Sequence, residues 1–104
     1  MNCKIYYSPE YQADLDGIWE YIALQLFNPT AAKRFMEGIM QSTEILREHP
    51  EAGAKWYLPG GQYSGYRYVL FEQYISFYQY VDGAVYVARV FHTRQHYIET
   101  LIPR

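Results

Sequence analysis

Apolar residues in the first half of the chain recur at steps of three and four. Tyr11, Leu15, Ile18, Trp19, Ile22, Ala23 and Leu26 make one stripe; Ala32, Phe35, Met36, Ile39, Met40, Thr43 and Leu46 make a second. Each reads as the buried face of an amphipathic helix. Start signals precede both. Ser8-Pro9-Glu10 offers an N-cap, a proline at the first helical position and an acid in the first turn, and Asn28-Pro29 repeats the cap and the proline. The first helix is predicted to end near Phe27 and the second at about His49, ahead of Pro50. With only a turn between them, the two pack as an antiparallel hairpin.

The pattern is different elsewhere. Cys3 to Tyr7 is a short β-prone run. From Glu51 to Gly65 the chain turns to glycine, proline and lone aromatics, which predicts a loop carrying Lys55, Trp56 and Tyr57. Beyond it the period is two: Tyr66–Phe71, Tyr74–Val81 and Ala84–His92 read as strands, with Asp82-Gly83 as a two-residue hairpin turn. Residues 93–101 suit a short tail helix or an extended arm. The order β-α-α-β-β-β predicts an α+β fold, a helical hairpin packed on a mostly antiparallel sheet, with residues 1–104 as a single domain and the first strand at a sheet edge.

Pairing the hairpin through Asp82-Gly83 sets Val81 opposite Ala84, Ile75 opposite Val90 and Ser76 opposite Arg89. One face then carries Ile75, Phe77, Ala88 and Val90 and is predicted to be core. The other carries Tyr74, Ser76, Tyr78, Tyr80 and Arg89 and reads as a tyrosine-lined surface.

Composition narrows the classes. Half the residues are apolar and 19% are aromatic, which excludes a disordered chain. The 13 tyrosines suit half-buried sheet positions or a contact surface. A lone cysteine, Cys3, makes no internal disulfide, there is no signal-peptide pattern, and no apolar run approaches the ~18 residues of a membrane span. A soluble, cytoplasmic protein with no membrane partner is expected. The net charge of -2 argues against bulk nucleic-acid binding. It is unevenly spread: residues 1–51 hold four Lys/Arg against eight Asp/Glu, residues 52–104 five against three. An anionic partner is therefore expected to meet the second half.

Glycine-rich phosphate loops, CxxC, HExxH and Gly-x-Ser-x-Gly are all missing. His92 and His96 stand four apart with no third ligand nearby, so neither a metal nor a cofactor is expected. Arg89 among tyrosines suits stacking on bases, phosphate pairing or a protein contact. The densest polar group is Phe91-His92-Thr93-Arg94-Gln95-His96-Tyr97, directly after an apolar strand. There His92 has the chemistry to move a proton and Arg94 to steady a phosphorane, the pairing a metal-free RNA cleavage needs.

Several segments resemble one family. Ser8-Pro9-Glu10, Asp14-Leu15 and Ile18-Trp19-Glu20-Tyr21-Ile22-Ala23 look like the first helix of RelE/ParE toxins; Asn28-Pro29, Ala31-Ala32, Arg34-Phe35 and the exit His49-Pro50-Glu51-Ala52-Gly53 are similar to the second. Tyr74-Ile75-Ser76-Phe77-Tyr78 resembles the family's third strand, and Val87-Ala88-Arg89-Val90-Phe91-His92-Thr93-Arg94 its last strand and the turn after it. The resemblance implies the toxin of a type II toxin–antitoxin system, which arrests growth and is neutralised by a cognate antitoxin. RelE-like members cut mRNA on the ribosome without metal; ParE-like members inhibit DNA gyrase. The RelE-type pattern has an arginine after the leading tyrosine of the third strand, where this chain has Ile75, and Lys55 is the one lysine of the loop. Arg67 and Arg94 correspond to basic positions of the family, and His92 lies near a histidine that is catalytic in some members.

These departures favour a ParE-like toxin that binds its target, with gyrase the first suspect and Arg67, Arg89, Tyr78, His92 and Arg94 as the target-binding surface. The alternative is a ribosome-dependent mRNA endonuclease with His92, Arg94 and Arg67 as catalytic residues; a further one is a member that keeps only the fold and antitoxin binding. The aromatic surface leaves a homodimer of the free toxin open. The acidic helical hairpin, with Asp14, Asp16 and Glu20, is expected to receive a basic or apolar side of the antitoxin.

Overall fold

Both helix caps form as the sequence predicts. In the computed structural model, which describes residues 2–95, the Ser8 side chain accepts the Tyr11 N–H at 3.0 Å and that of Asn28 accepts the Ala31 N–H at 3.1 Å. Helix α1 runs Pro9–Glu20 and continues as a π-helical turn, Tyr21–Gln25; helix α2 runs Pro29–Glu44 and tightens into a 3-10 turn, Ile45–Arg47. The strands are β1 Lys4–Tyr7, β2 Ala54–Tyr57, β3 Tyr63–Phe71, β4 Tyr74–Val81 and β5 Ala84–His92. The tail suggested for residues 93–101 and the second histidine of the pair, His96, lie outside the described residues in whole or part.

One sheet in the order β1-β5-β4-β3-β2 backs the two helices, antiparallel except for the edge pair β1 and β5. This is the α+β architecture expected, with β1 at an edge. It has one strand more, since β2 lies within the stretch read as a loop. Its four residues are too few to show an alternating pattern, and β2 is held in place by pairing with β3 rather than by its own sequence. Asp82 and Gly83 both adopt positive φ, 51° and 78°, as a two-residue hairpin of the mirror-image type needs.

The predicted register holds only near that turn. Val81 opposes Ala84 and Tyr78 opposes Val87, but Phe77 opposes Arg89, so β5 carries an extra residue there. Past this bulge the partners are Ser76 with Val90, Ile75 with Phe91 and Tyr74 with His92, which replaces the uniform pairing expected.

The assignment of faces is corrected as well. Tyr74 and Tyr78 belong to the main core beneath the helices, with Tyr11, Leu15, Ala32, Ile39, Leu46, Val85, Val87 and Val90. Ile75, Phe77 and Phe91 form a second cluster on the helix-free face, under Trp56, Tyr66, Tyr68 and Ala88. Tyr74 through Tyr78 are all buried, so β4 has no polar face by which to tell inside from outside. On the helix side the layers meet closely. A side chain at Gly38 of α2 would collide with the Phe71 ring, and Phe35 sets its ring edge-on to Tyr74 at 5.5 Å.

Candidate functional site

Strand β1 covers β5 only from Ala84 to Val87, and beyond that point α1 takes over the open edge. The Ser8 hydroxyl donates to the Ala88 carbonyl, and the Asp14 carboxylate accepts the Val90 N–H at 3.1 Å. Side chains of the helix thus satisfy backbone groups that a neighbouring strand would otherwise hold. The bulge swings Arg89 toward α1, where its Nε and Nη2 each meet an Asp14 oxygen at 2.8 Å. Both side chains are largely shielded, and the Asp14 hydrogen bonds are the main reason the guanidinium holds its proton even more firmly than usual. Arg89 also lies over the Phe91 ring, 4.8 Å from its centre.

Beside this pair a groove of about 590 Å³ opens between α1 and the end of β5. Ala13, Gly17 and Tyr21 line it from the helix, Tyr74, Val90 and His92 from the sheet, and Arg94 and Gln95 from the turn that follows. That turn is tied down. His92 N–H donates to the Gln95 side-chain oxygen at 2.7 Å, Gln95 N–H returns to the His92 carbonyl at 2.9 Å, and Thr93 N–H reaches the Gln73 carbonyl at 2.8 Å. The His92 ring stands edge-on to Tyr74 at 5.5 Å, and its Nδ1 accepts the Arg94 N–H at 3.1 Å. Neutral His92 therefore carries its proton on Nε2, where it can donate to a ligand. Burial pushes the Tyr74 phenol up, so it stays protonated as a further donor.

Arg67 and Tyr78 sit elsewhere. They oppose each other on β3 and β4, four residues along those strands from the row that joins Phe71, Tyr74 and His92. The Tyr78 hydroxyl donates to the Pro50 carbonyl at 2.7 Å and accepts the Gly53 N–H at 3.0 Å. Arg67 Nη1 donates to the carbonyls of Gly53 at 2.9 Å and Glu51 at 3.2 Å, and its Nη2 lies 3.7 Å from the Glu51 carboxylate. Together they staple residues 50–53, the entry to β2, against the sheet. The fit is tight enough that a Cβ at Gly53 would press on Tyr78 and on the Tyr68 carbonyl.

Of the residues singled out in the sequence, the structure brings His92 and Arg94 together along one groove, keeps Arg89 beside it on Asp14, and leaves Arg67 and Tyr78 in the staple. Tyr78 is fully buried, so the surface role read for it from the hairpin register gives way to a structural one. Asp14, expected on an acidic docking face, is instead the partner of Arg89. Sequence reasoning set Tyr74 on a tyrosine-lined surface with Arg89 and passed over Tyr21 and Gly17 as parts of a site. The one signal for them was a glycine inside a helical stripe, a poor helix former that helix packing alone does not require. Among the described residues no cluster of His, Cys, Asp and Glu could hold a metal ion, and no helix is long and apolar enough to cross a membrane.

Residues 5–97 match the family model described as the ParE toxin of the type II toxin–antitoxin system parDE. No curated protein matches the sequence. Among solved structures, a chain of the chromosomal ParDE system from P. aeruginosa superposes with a TM-score of 0.69 at 18% identity, over 86% of this chain and 95% of the other. A chain of the RelBE2 toxin–antitoxin complex from Mycobacterium tuberculosis gives 0.59 at 16% identity, over 88% and 99%. At such identities these two likenesses concern the fold.

Proposed function

This chain belongs to the ParE toxin family of type II toxin–antitoxin systems, and on that premise we propose that it arrests growth by binding a cellular target, DNA gyrase first, and that a cognate antitoxin neutralises it. The observation that carries the binding surface is how the arginines are used. Arg67 is spent on residues 51 and 53 and Arg89 on Asp14, while Arg94 lies exposed in the groove next to His92. An exposed guanidinium, an imidazole donor and two tyrosines are the groups of a protein-binding hot spot.

A ribosome-dependent mRNA endonuclease is the second reading, favoured by His92 and Arg94 lying side by side. Cleavage needs a base for the 2′-hydroxyl and an acid for the leaving oxygen. His92 has one ring nitrogen engaged by Arg94, and Ile75 is buried where the nuclease pattern carries a cation. These features support binding over cutting.

Two assays on the same material decide. Purified chain added to a DNA gyrase supercoiling reaction is expected to inhibit it, and Arg94→Ala is expected to weaken inhibition about tenfold. mRNA 5′ ends mapped in cells shortly after induction are expected to stay unchanged as growth stops. New ends in register with codons, lost in His92→Ala, would replace this reading with the nuclease.

A further inference from the structure

The helical hairpin ends in a tip whose side chains the fold does not use. From residue 21 to residue 30 the chain has no charged side chain. Leu24, Leu26 and Phe27 are 64%, 54% and 88% exposed there, and Phe27 is the most exposed large apolar residue among those described. Exposed apolar residues are ordinary one at a time. Three within four positions, with Tyr21 half-exposed one turn earlier, make a patch.

The backbone leaves regular helix to present them. Leu26 N–H donates to the Tyr21 carbonyl at 3.0 Å, the five-residue step of a π-helical turn, and Asn28 N–H reaches the Ile22 carbonyl at 3.1 Å. Phe27 then takes φ 52°, the left-handed position past a helix end that glycine fills without strain. Departures of both kinds gather where a surface is used. The hairpin itself would be better served by glycine at position 27, so the use of the ring lies outside the fold.

Three kinds of partner cover patches of this sort. A lipid surface is disfavoured by charge. Asp16 and Glu20 stand exposed on α1 just before the tip, neither with an ion pair among the described residues, and both repel anionic headgroups. A second copy is disfavoured by size and shape. The side chains of the tip expose roughly 400–500 Å² together, about half of what one partner gives to a standard interface. A convex tip is also not complementary to itself, as a two-fold contact requires. What remains is a concave apolar pocket on another protein, which takes the tip as one anchor of a wider contact. Tyr21 supplies the continuity: it belongs to the tip and also lines the groove that holds His92 and Arg94.

Resting on the target-binding reading above, we propose that the hairpin tip is a second contact with the target, in which Phe27 and Leu24 seat in an apolar pocket of the protein that this toxin inhibits. The groove makes the polar part of the same interface. The π-turn and the left-handed residue fix the backbone beneath the ring in advance, which spares binding the cost of ordering it.

Growth arrest after induction, and titration calorimetry of the purified chain with DNA gyrase, test this for wild type, Phe27→Gly and Leu24→Ser at equal soluble amounts, with each melting temperature recorded. Phe27→Gly is expected to melt at or above wild type, to bind gyrase about 30-fold more weakly and to lose growth arrest. Leu24→Ser is expected to melt close to wild type and to bind about tenfold more weakly. A higher melting temperature together with lost function is a result that a merely structural role does not give. Full arrest by both variants overturns the proposal. So does a wild-type dimer that Phe27→Gly makes monomeric, or sedimentation of wild type with phosphatidylglycerol vesicles that Phe27→Gly abolishes. Should Phe27→Gly melt lower, Leu24→Ser decides alone. A wild-type chain that arrests growth without binding gyrase overturns the choice of target, and arrest by the two variants still judges the tip. A wild-type chain that does not arrest growth brings down the toxin reading and the tip with it.

Discussion

Arg89 of β5 and Asp14 of α1 are joined by two parallel hydrogen bonds of 2.8 Å, and the same carboxylate accepts the Val90 N–H. The pair is partly shielded from water and fastens the first helix to the last strand, so either side chain alone would be a poorly solvated charge. Arg89→Ala and Asp14→Ala are each expected to lower unfolding free energy by about 2–3 kcal/mol, and the double variant by less than the sum. Urea denaturation of the four proteins in a double-mutant cycle measures this; additive losses would mean that the pair contributes nothing of its own.

Tyr78→Phe keeps the ring in the core and deletes the hydroxyl that bridges Pro50 and Gly53. With a buried N–H and a carbonyl left without that partner, a loss of about 2 kcal/mol is expected. Growth arrest by the soluble fraction of this variant is expected to match wild type, since the hydroxyl faces inward. A full melting temperature together with lost toxicity would return Tyr78 to the functional surface.

Alkaline pH is expected to loosen the fold. Burial, first of all, lifts the Tyr11 phenol from 10.0 to about 12, and burial also raises Tyr74 and Tyr78. The folded chain holds these protons to higher pH than the unfolded one. For Tyr11 that contribution is complete below pH 10 and declines by about 1.4 kcal/mol per pH unit as pH rises toward 12, and Tyr74 and Tyr78 act in the same direction. Melting curves between pH 8 and 11 check the direction; a flat profile above pH 10 would show that Tyr11 titrates normally.

Phe27 closes the helical hairpin in the left-handed region, at φ 52°, with its ring 88% exposed. That conformation is strained for a side chain without a polar tip, and the ring returns little packing energy. Phe27→Gly is expected to stabilise the chain by about 0.5–1 kcal/mol after the entropy of the added glycine is set against the relieved strain. Chemical denaturation reads the difference, and a loss of stability would show that Phe27 packs in solution.

Much of the architecture was legible because it rests on local rules. Ser8 and Asn28 cap helices from any surroundings, Asp82-Gly83 turns a hairpin by its own backbone preference, and the two apolar stripes each have one face to bury. Three features were not legible, each for its own reason. β2 exists through its pairing with β3. The bulge that sets Phe77 opposite Arg89 is one residue of slack in a run where Val87, Ala88 and Val90 all suit a strand. The face of Tyr78 could not be told from its neighbours, since β4 is apolar on both sides.

The candidate site divides along the same line. The residues after the last strand were conspicuous in sequence, and His92 and Arg94 do line a groove. What Arg67, Tyr78 and Arg89 do depended on partners 14 to 75 positions away, Gly53, Pro50 and Asp14 among them. A sequence states which side chains carry charge and which can form helix or strand, because these are properties of the residue and its neighbours. Whether a charge is offered to a partner or consumed within the fold depends on what the folded chain brings within about 3 Å of it, and only the tertiary structure decided that.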